Sequence, residues 1–291
     1  MRHPSVQTDR LFGLKSEAQI TNLRSFTALP EILYLWKNDS MIYDSFYAAH
    51  RQNKKCLALL IDPDNIDQKH LSELAKWVRR CSIDYIFVGG SLLKEDNLDY
   101  CLDFLKENFS IPSVLFPGDI FQINPKADGI LLLSLISGRN AELLIGRHVT
   151  AAPHIKRSKL EVIPTGYILV DGGRPTTVSY ISQTMPIPRD KPDIASCTAS
   201  AGELLGLRVI YLDSGSGAQE SVSVEMIRQV KKETNIPLIV GGGIRTGQQA
   251  HMMCEAGADI LVVGNAVEKD PSCLFEISSA IENFNTIIQL S

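Results

Sequence analysis

From Cys56 onward the chain alternates short apolar runs with longer stretches in which apolar residues recur every three or four positions. The runs are Cys56–Ile61, Tyr85–Val88, Ser113–Phe116, Gly129–Leu133, Val162–Val170, Val209–Leu212, Pro237–Val240 and Ile260–Val263. They are short, rich in β-branched residues and flanked by Gly, Pro or Asp, the pattern of parallel strands buried on both faces. The stretches Gln68–Cys81, Lys94–Glu107, Arg139–His148, Asp193–Leu205, Val222–Thr234 and Gln248–Ala256 read as amphipathic helices, and Pro271–Phe284 as a terminal one. Asp67, Ser221 and Thr246 are candidate N-caps, and Gly206 and Gly257 fall where helices should end. Eight strands alternating with helices predict a right-handed βα series, most simply a (β/α)8 barrel. The third repeat is defective. Only Gly118–Lys126 separates its strand from the next, so the third helix is expected to be missing or replaced by an extended segment.

Two regions stand outside the repeat. Thr184–Pro192 holds three prolines in nine residues and reads as an extended loop. Residues 1–40 show no clean period; their apolar cluster, Leu29–Trp36, is interrupted by Pro30 and Glu31. They are expected to be an N-terminal extension, with Tyr43–Gln52 a short helix leading into a single barrel over 41–291.

Composition narrows the class. With 291 residues, 44% hydrophobic and 21% charged, the chain has a full core, which excludes bulk disorder, collagen and coiled coil. A net charge of −4 gives no general field for nucleic acid. An anionic ligand must therefore be held by backbone amides, single basic side chains or a metal. No apolar run reaches the ~20 residues of a membrane helix. The six cysteines (56, 81, 101, 197, 254 and 273) are widely spaced and read as reduced thiols of a cytoplasmic protein. The histidines show no metal spacing; His148 and His154 are expected to flank the end of the fourth helix.

Candidate chemistry clusters just after the strands, the face on which barrel active sites are built. Gly241-Gly242-Gly243 and Gly264-Asn265 follow strands seven and eight, whose loops form the usual barrel phosphate site. Ser214-Gly215-Ser216-Gly217 can add a nest of amides as a third wall. Asp213 before it either points into the mouth or makes an Asx-turn. Asp62, held extended by Pro63, and Ser91, after Gly89-Gly90, are a carboxylate and a hydroxyl that can share one Mg²⁺ or simply cap their turns. Asp171-Gly172-Gly173-Arg174 reads more simply as a turn.

In order, LLIDPDN (59–65), FVGGSLL (87–93), LFPGD (115–119), LSLISGRN (133–140), PTGYILV (164–170), PIPRDKP (186–192), YLDSGSGA (211–218), IVGGGIRTG (239–247) and VVGNAVE (262–268) resemble the geranylgeranylglyceryl phosphate synthase family. The resemblance covers residues 41–291 and is to the family's larger subgroup, found in many archaea and some bacteria. It implies a modified barrel lacking the third helix, and a prenyltransferase that makes the first ether bond of ether lipids. Its substrates would be sn-glycerol 1-phosphate and a polyprenyl diphosphate such as geranylgeranyl diphosphate, with Mg²⁺ on Asp62 and Ser91. Tyr211, Leu212, Asp213, Ser214, Gly215, Ser216, Gly217, Gly242, Gly243, Gly264 and Asn265 would hold sn-glycerol 1-phosphate. Asp213 and Tyr211 would act in catalysis. A homo-oligomer, dimer or hexamer, and transient membrane contact for product release are also implied. Two departures stand out. Asp213 replaces the Glu of many relatives, and Leu60 stands where some carry a Lys, leaving that phosphate contact to Arg245 or Lys191. Leu115, Phe116, Leu133, Leu135 and Tyr167 would line the prenyl groove, although by composition alone such residues are more often simple core. The competing readings are an isomerase or lyase using Asp62 and Asp171 as its acid–base pair, and a barrel that binds without catalysing.

Overall fold

Parallel ladders join β1 (Cys56–Ile61), β2 (Tyr85–Val88), β3 (Ser113–Leu115), β4 (Gly129–Leu135), β5 (Glu161–Leu169), β6 (Val209–Asp213), β7 (Leu238–Gly241) and β8 (Ile260–Val263) in chain order. β8 pairs back onto β1, so the sheet closes as a barrel. The computed structural model describes residues 41–290 apart from Ile66 and Asp96, and the expected extension lies outside the described residues. Among them, no helix is long and apolar enough to cross a membrane.

The period of two in each strand sorts its side chains between two cores. Leu57, Leu59, Ile86, Ile168, Leu212 and Val240 face outward against the helices. Ala58, Phe87, Leu131, Tyr167, Tyr211 and Ile239 fill the barrel. The helices that cover the outside are α2 (Gln68–Val78), α3 (Leu98–Asn108), α4 (Arg147–Ser158), α6 (Pro192–Leu204), α7 (Val224–Glu233), α8 (Gly247–Ala256) and α10 (Ser272–Leu290). Short helices α5 (Thr177–Ser182) and α9 (Asn265–Lys269) follow β5 and β8. No helix follows β3; a single 3-10 turn, Ile120–Gln122, stands there.

The first helix, α1 (Met41–Arg51), packs against the barrel's inner core. Ile42, Phe46 and Ala49 join Tyr85, Val209 and Ile260, all at strand starts. The N–H groups of Ile42 and Tyr43 donate to the Glu161 carboxylate at 2.8 and 2.7 Å. α1 therefore stops the N-terminal end of the barrel and leaves the C-terminal end open.

Local signals explain most boundaries. Asp67 caps α2 by accepting from the His70 N–H at 2.8 Å, and Thr246 caps α8 by accepting from Gln249 at 3.2 Å. Three readings need correction. Ser223, not Ser221, caps α7, because the cap must sit directly before the first helical residue; Ser221 instead lends its carbonyl to Arg189 Nε at 3.0 Å. The stretch expected to end at His148 is a π turn, Glu142–Gly146, running into α4. α4 continues through Pro153, a residue that removes a helical N–H and so breaks the pattern in sequence. His148 is thus the second residue of α4 and His154 lies in its body, neither at its end. The third correction is α5, which lies ahead of the Thr184–Pro192 loop in a stretch where patterning predicted no element.

One buried ion cluster ties the closed end together. The Asp259 carboxylate accepts from Lys231 Nζ at 2.7 and 2.6 Å, from the Leu238 N–H at 2.9 Å and from His50 Nδ1 at 2.9 Å. Burial alone would raise its pKa, but the hydrogen bond from His50 and the Lys231 charge hold it below the usual carboxylate range. Lys55 Nζ, 3.9 Å away, is buried as well, and burial lowers its pKa. Asp259→Asn leaves these cations unbalanced in the interior and is expected to cost about 3–5 kcal/mol in urea unfolding. In the wild type the contribution of Asp259 is complete above the ordinary carboxylate pKa and fades as pH falls through its lower folded value. The variant should therefore show a flatter acid limb.

Candidate active site

Two cavities open where the strands end, and they share a wall. The polar one is lined by Asp62, Ser91, Tyr211, Asp213, Gly215, Ser216, Gly217, Gly242, Gly243, Gly264 and Asn265. Residues from five strand ends thus meet in one place although the sequence spreads them over two hundred positions. Leu212 and Ser214 are the exceptions. Leu212 points outward into the helix-facing core, as period two demands beside the inward Tyr211 and Asp213. Ser214 is buried behind the loop, where its Oγ has no hydrogen-bond partner among the described residues, and its N–H is taken by the Gly241 carbonyl at 3.1 Å.

The loops after β6 and β7 make an anion cradle. Gly215, Gly217, Gly242 and Gly243 all take left-handed φ values, 85°, 72°, 83° and 72°. Gly242 also needs its missing side chain: a Cβ there would lie 2.8 Å from Asp213 Oδ1 and from the nitrogens of Ser214 and Gly215. The Gly215 N–H is given to Asp213. Among the described residues, the N–H groups of Ser216, Gly217, Gly242 and Gly243 have no backbone acceptor. Amides gathered this way form a concave site for phosphate oxygens.

Asp213 sits at the inner end of the cradle, 6% exposed. Its Oδ1 accepts from the Gly215 N–H at 2.8 Å, and its Oδ2 accepts from Tyr167 Oη at 2.5 Å. Burial raises its pKa, and the Tyr167 and Gly215 bonds oppose that rise by favouring the ionised form. The result is a fixed carboxylate more basic than an exposed one. Tyr167, expected only as groove lining, is its orienting partner. Its ring stands edge-on to Tyr211 at 5.5 Å between centroids, and Phe116 stacks on Tyr211 at 5.3 Å.

Across the cavity, Asp62 accepts from the Asp64 N–H at 3.1 Å and from Asn65 Nδ2 at 3.3 Å. Asn65 Nδ2 also reaches Glu268 Oε2 at 3.3 Å. Burial raises the pKa of Asp62; burial and then the Asp62 charge raise that of Glu268. Glu268 escaped the sequence reading, although it lies one helical turn after Asn265 and so on the same face. The donors are oxygens, and among the described residues no His or Cys lines the cavity. That set fits a hard cation such as Mg²⁺.

The second cavity is apolar and runs under the gap left by the missing helix. Phe116, Ile120, Ile130, Leu133, Leu135, Leu143 and Tyr167 line it. Leu115 does not line it: it is fully buried in the outer core, one residue out of phase with Phe116. Gly90, Ser91, Phe116 and Val178 line both cavities.

Other expected partners fall elsewhere. Asp171 is exposed, accepts from the Gly173 N–H and lines neither cavity, so no Asp62–Asp171 acid–base pair forms. Lys191 is outside both cavities as well. Arg245 reaches the polar one, but its guanidinium donates to the carbonyls of Gln219, Gly243 and Ala218.

Known proteins share this sequence and this shape. A geranylgeranylglyceryl phosphate synthase of Chitinophaga pinensis is 52% identical over 240 residues, 82% of this chain and 95% of that one. One from Pyrococcus furiosus is 42% identical over 75% of this chain and 86% of its own. The crystal structure of (S)-3-O-geranylgeranylglyceryl phosphate synthase from Thermoplasma acidophilum, in complex with sn-glycerol-1-phosphate, superposes with a TM-score of 0.78. It is 32% identical and is covered over 98% of its length, against 83% of this chain. The PcrB family model matches residues 50–284, every strand and both cavities included, and the chain belongs to that family.

Proposed function

We propose that this chain is a Mg²⁺-dependent prenyltransferase that joins sn-glycerol 1-phosphate to geranylgeranyl diphosphate and releases diphosphate. The observation that carries the reading is the shared wall. An anion cradle with a buried base opens directly into an apolar groove at Ser91 and Phe116. One substrate with a small phosphorylated head and another with a long apolar tail fit that pairing.

The residues divide the work. The amides of Ser216, Gly217, Gly242 and Gly243 hold the glycerol phosphate by its phosphate. Asp213, fixed by Tyr167, orients the C3 hydroxyl and accepts its proton as the oxygen bonds to C1 of the prenyl chain. The C1–oxygen bond to diphosphate breaks, and the aromatic cluster of Phe116, Tyr167 and Tyr211 would favour positive charge on C1. The groove under the β3–β4 gap takes the tail. Asp62 and Ser91 would hold Mg²⁺, which when bound supplies the positive charge that neutralises the departing diphosphate.

The test is direct. The full chain with both substrates and Mg²⁺ should give geranylgeranylglyceryl phosphate by mass spectrometry, and EDTA should suppress it. No product, or product undiminished by EDTA, would overturn the reading or its metal.

A further inference from the structure

The turn after β5, Asp171-Gly172-Gly173-Arg174, has no part in the reaction above, yet it is fastened to the anion loop. Asp171 Oδ1 accepts from the Gly173 N–H at 2.9 Å, and Gly173 takes a left-handed φ of 80°. The Gly172 carbonyl then accepts from the N–H groups of Gln219 and Glu220 at 2.9 and 3.0 Å. Gly172 packs so closely that an added Cβ would lie 2.8 Å from the Ser214 carbonyl oxygen. This docking brings Arg174 beside Gly217 at the edge of the cradle, just outside the residues that line the polar cavity. A Cβ built on Gly217 would lie 2.8 Å from Arg174 Nη2 and 4.0 Å from Asn265 Oδ1.

The other cations near the site are engaged or elsewhere. Arg245 serves loop carbonyls, and Arg189 pairs with Glu220 and the Ser221 carbonyl. Arg147, on the groove wall, pairs with Asp119. Lys94 acts on the Asp62 side, where its charge is felt by that carboxylate. Arg174 is exposed, and among the described residues its guanidinium has no hydrogen bond or ion pair. It stands beside Gly217, whose N–H has no backbone acceptor. A planar fork of donors next to unpaired amides is suited to phosphate oxygens.

We propose that Arg174 is the cationic clamp of the glycerol phosphate subsite, closing the amide cradle over the phosphate from the rim. It grips the acceptor's phosphate and not the diphosphate, which lies toward Asp62. This rests on the glycerol phosphate reading of the polar cavity and adds the side chain that sets affinity there.

The test uses the full chain and Arg174→Ala and Arg174→Lys, with both substrates varied. A charge-assisted hydrogen bond contributes ~1.5–3 kcal/mol, so Arg174→Ala should raise KM for sn-glycerol 1-phosphate roughly 10- to 100-fold. The kcat at saturation and KM for geranylgeranyl diphosphate should stay within about threefold, and lysine should recover part of the loss. Inorganic phosphate, titrated calorimetrically, should bind the alanine variant correspondingly more weakly. An unchanged KM for glycerol phosphate, or a rise confined to the diphosphate, overturns the clamp. If the wild type makes no prenylated product, the functional reading fails instead. The phosphate titration then still decides Arg174, with equal affinity for both proteins counting against it.

Discussion

Asp213→Asn is expected to lower kcat roughly 10²- to 10⁴-fold, the usual contribution of a positioned general base. Asparagine keeps the shape of the side chain and an oxygen for the Gly215 N–H. The cradle, which also depends on Gly242 passing close to this position, should therefore stand. What is lost is the proton acceptor. KM for sn-glycerol 1-phosphate should change only a few-fold, because the phosphate is held by other groups. Steady-state kinetics with melting curves check this; kcat and binding falling by the same factor would make Asp213 a binding residue only. The wild type should also show an acid limb in kcat/KM. Because burial raises the Asp213 pKa, that limb should lie above the ordinary carboxylate value, and activity should fall as the base becomes protonated. Tyr167→Phe removes the bond that favours ionisation and should move the limb further up.

Asp62→Asn should reduce metal-dependent turnover by roughly a thousandfold, the equivalent of ~4 kcal/mol of charge stabilisation at the leaving group. The substitution leaves an oxygen for the Asp64 N–H, so the strand end and the melting midpoint should be preserved. Binding of Mn²⁺, followed by electron paramagnetic resonance, gives a readout independent of turnover and should weaken in parallel. Unchanged Mn²⁺ affinity with unchanged activity would take Asp62 out of the metal site.

How far the sequence reaches is clearest strand by strand. The eight strands are legible because each is a continuous apolar run between turn residues, and the gap after β3 shows as a spacing too short for a helix. The glycine loops are legible because they follow strands seven and eight. The misreadings share a cause: a motif read as a block ignores which way alternate side chains point. Leu212 lies between two inward residues and must face out; Leu115 precedes the inward Phe116 and must do the same. Ser214 is hidden by the turn itself, which uses its N–H and encloses its hydroxyl. Partnerships across the barrel, such as Tyr167 with Asp213 or Asn65 with Glu268, join residues 46 and 203 positions apart. No local pattern encodes them. Of the competing readings, the acid–base pair fails on position, since Asp171 faces solvent.

The gap after β3 has a consequence for how a turnover ends. Before reaction, head and tail are separate molecules, and each can enter its own compartment. In the proposed reaction they become one amphiphile, with its head in the polar cavity and its tail in the apolar one that shares Ser91 and Phe116 with it. α1 stops the barrel from below, so such a molecule leaves at the C-terminal end, where both cavities open. Beside the apolar cavity, the β3–β4 connection holds one 3-10 turn, Ile120–Gln122, where most other repeats place a full helix.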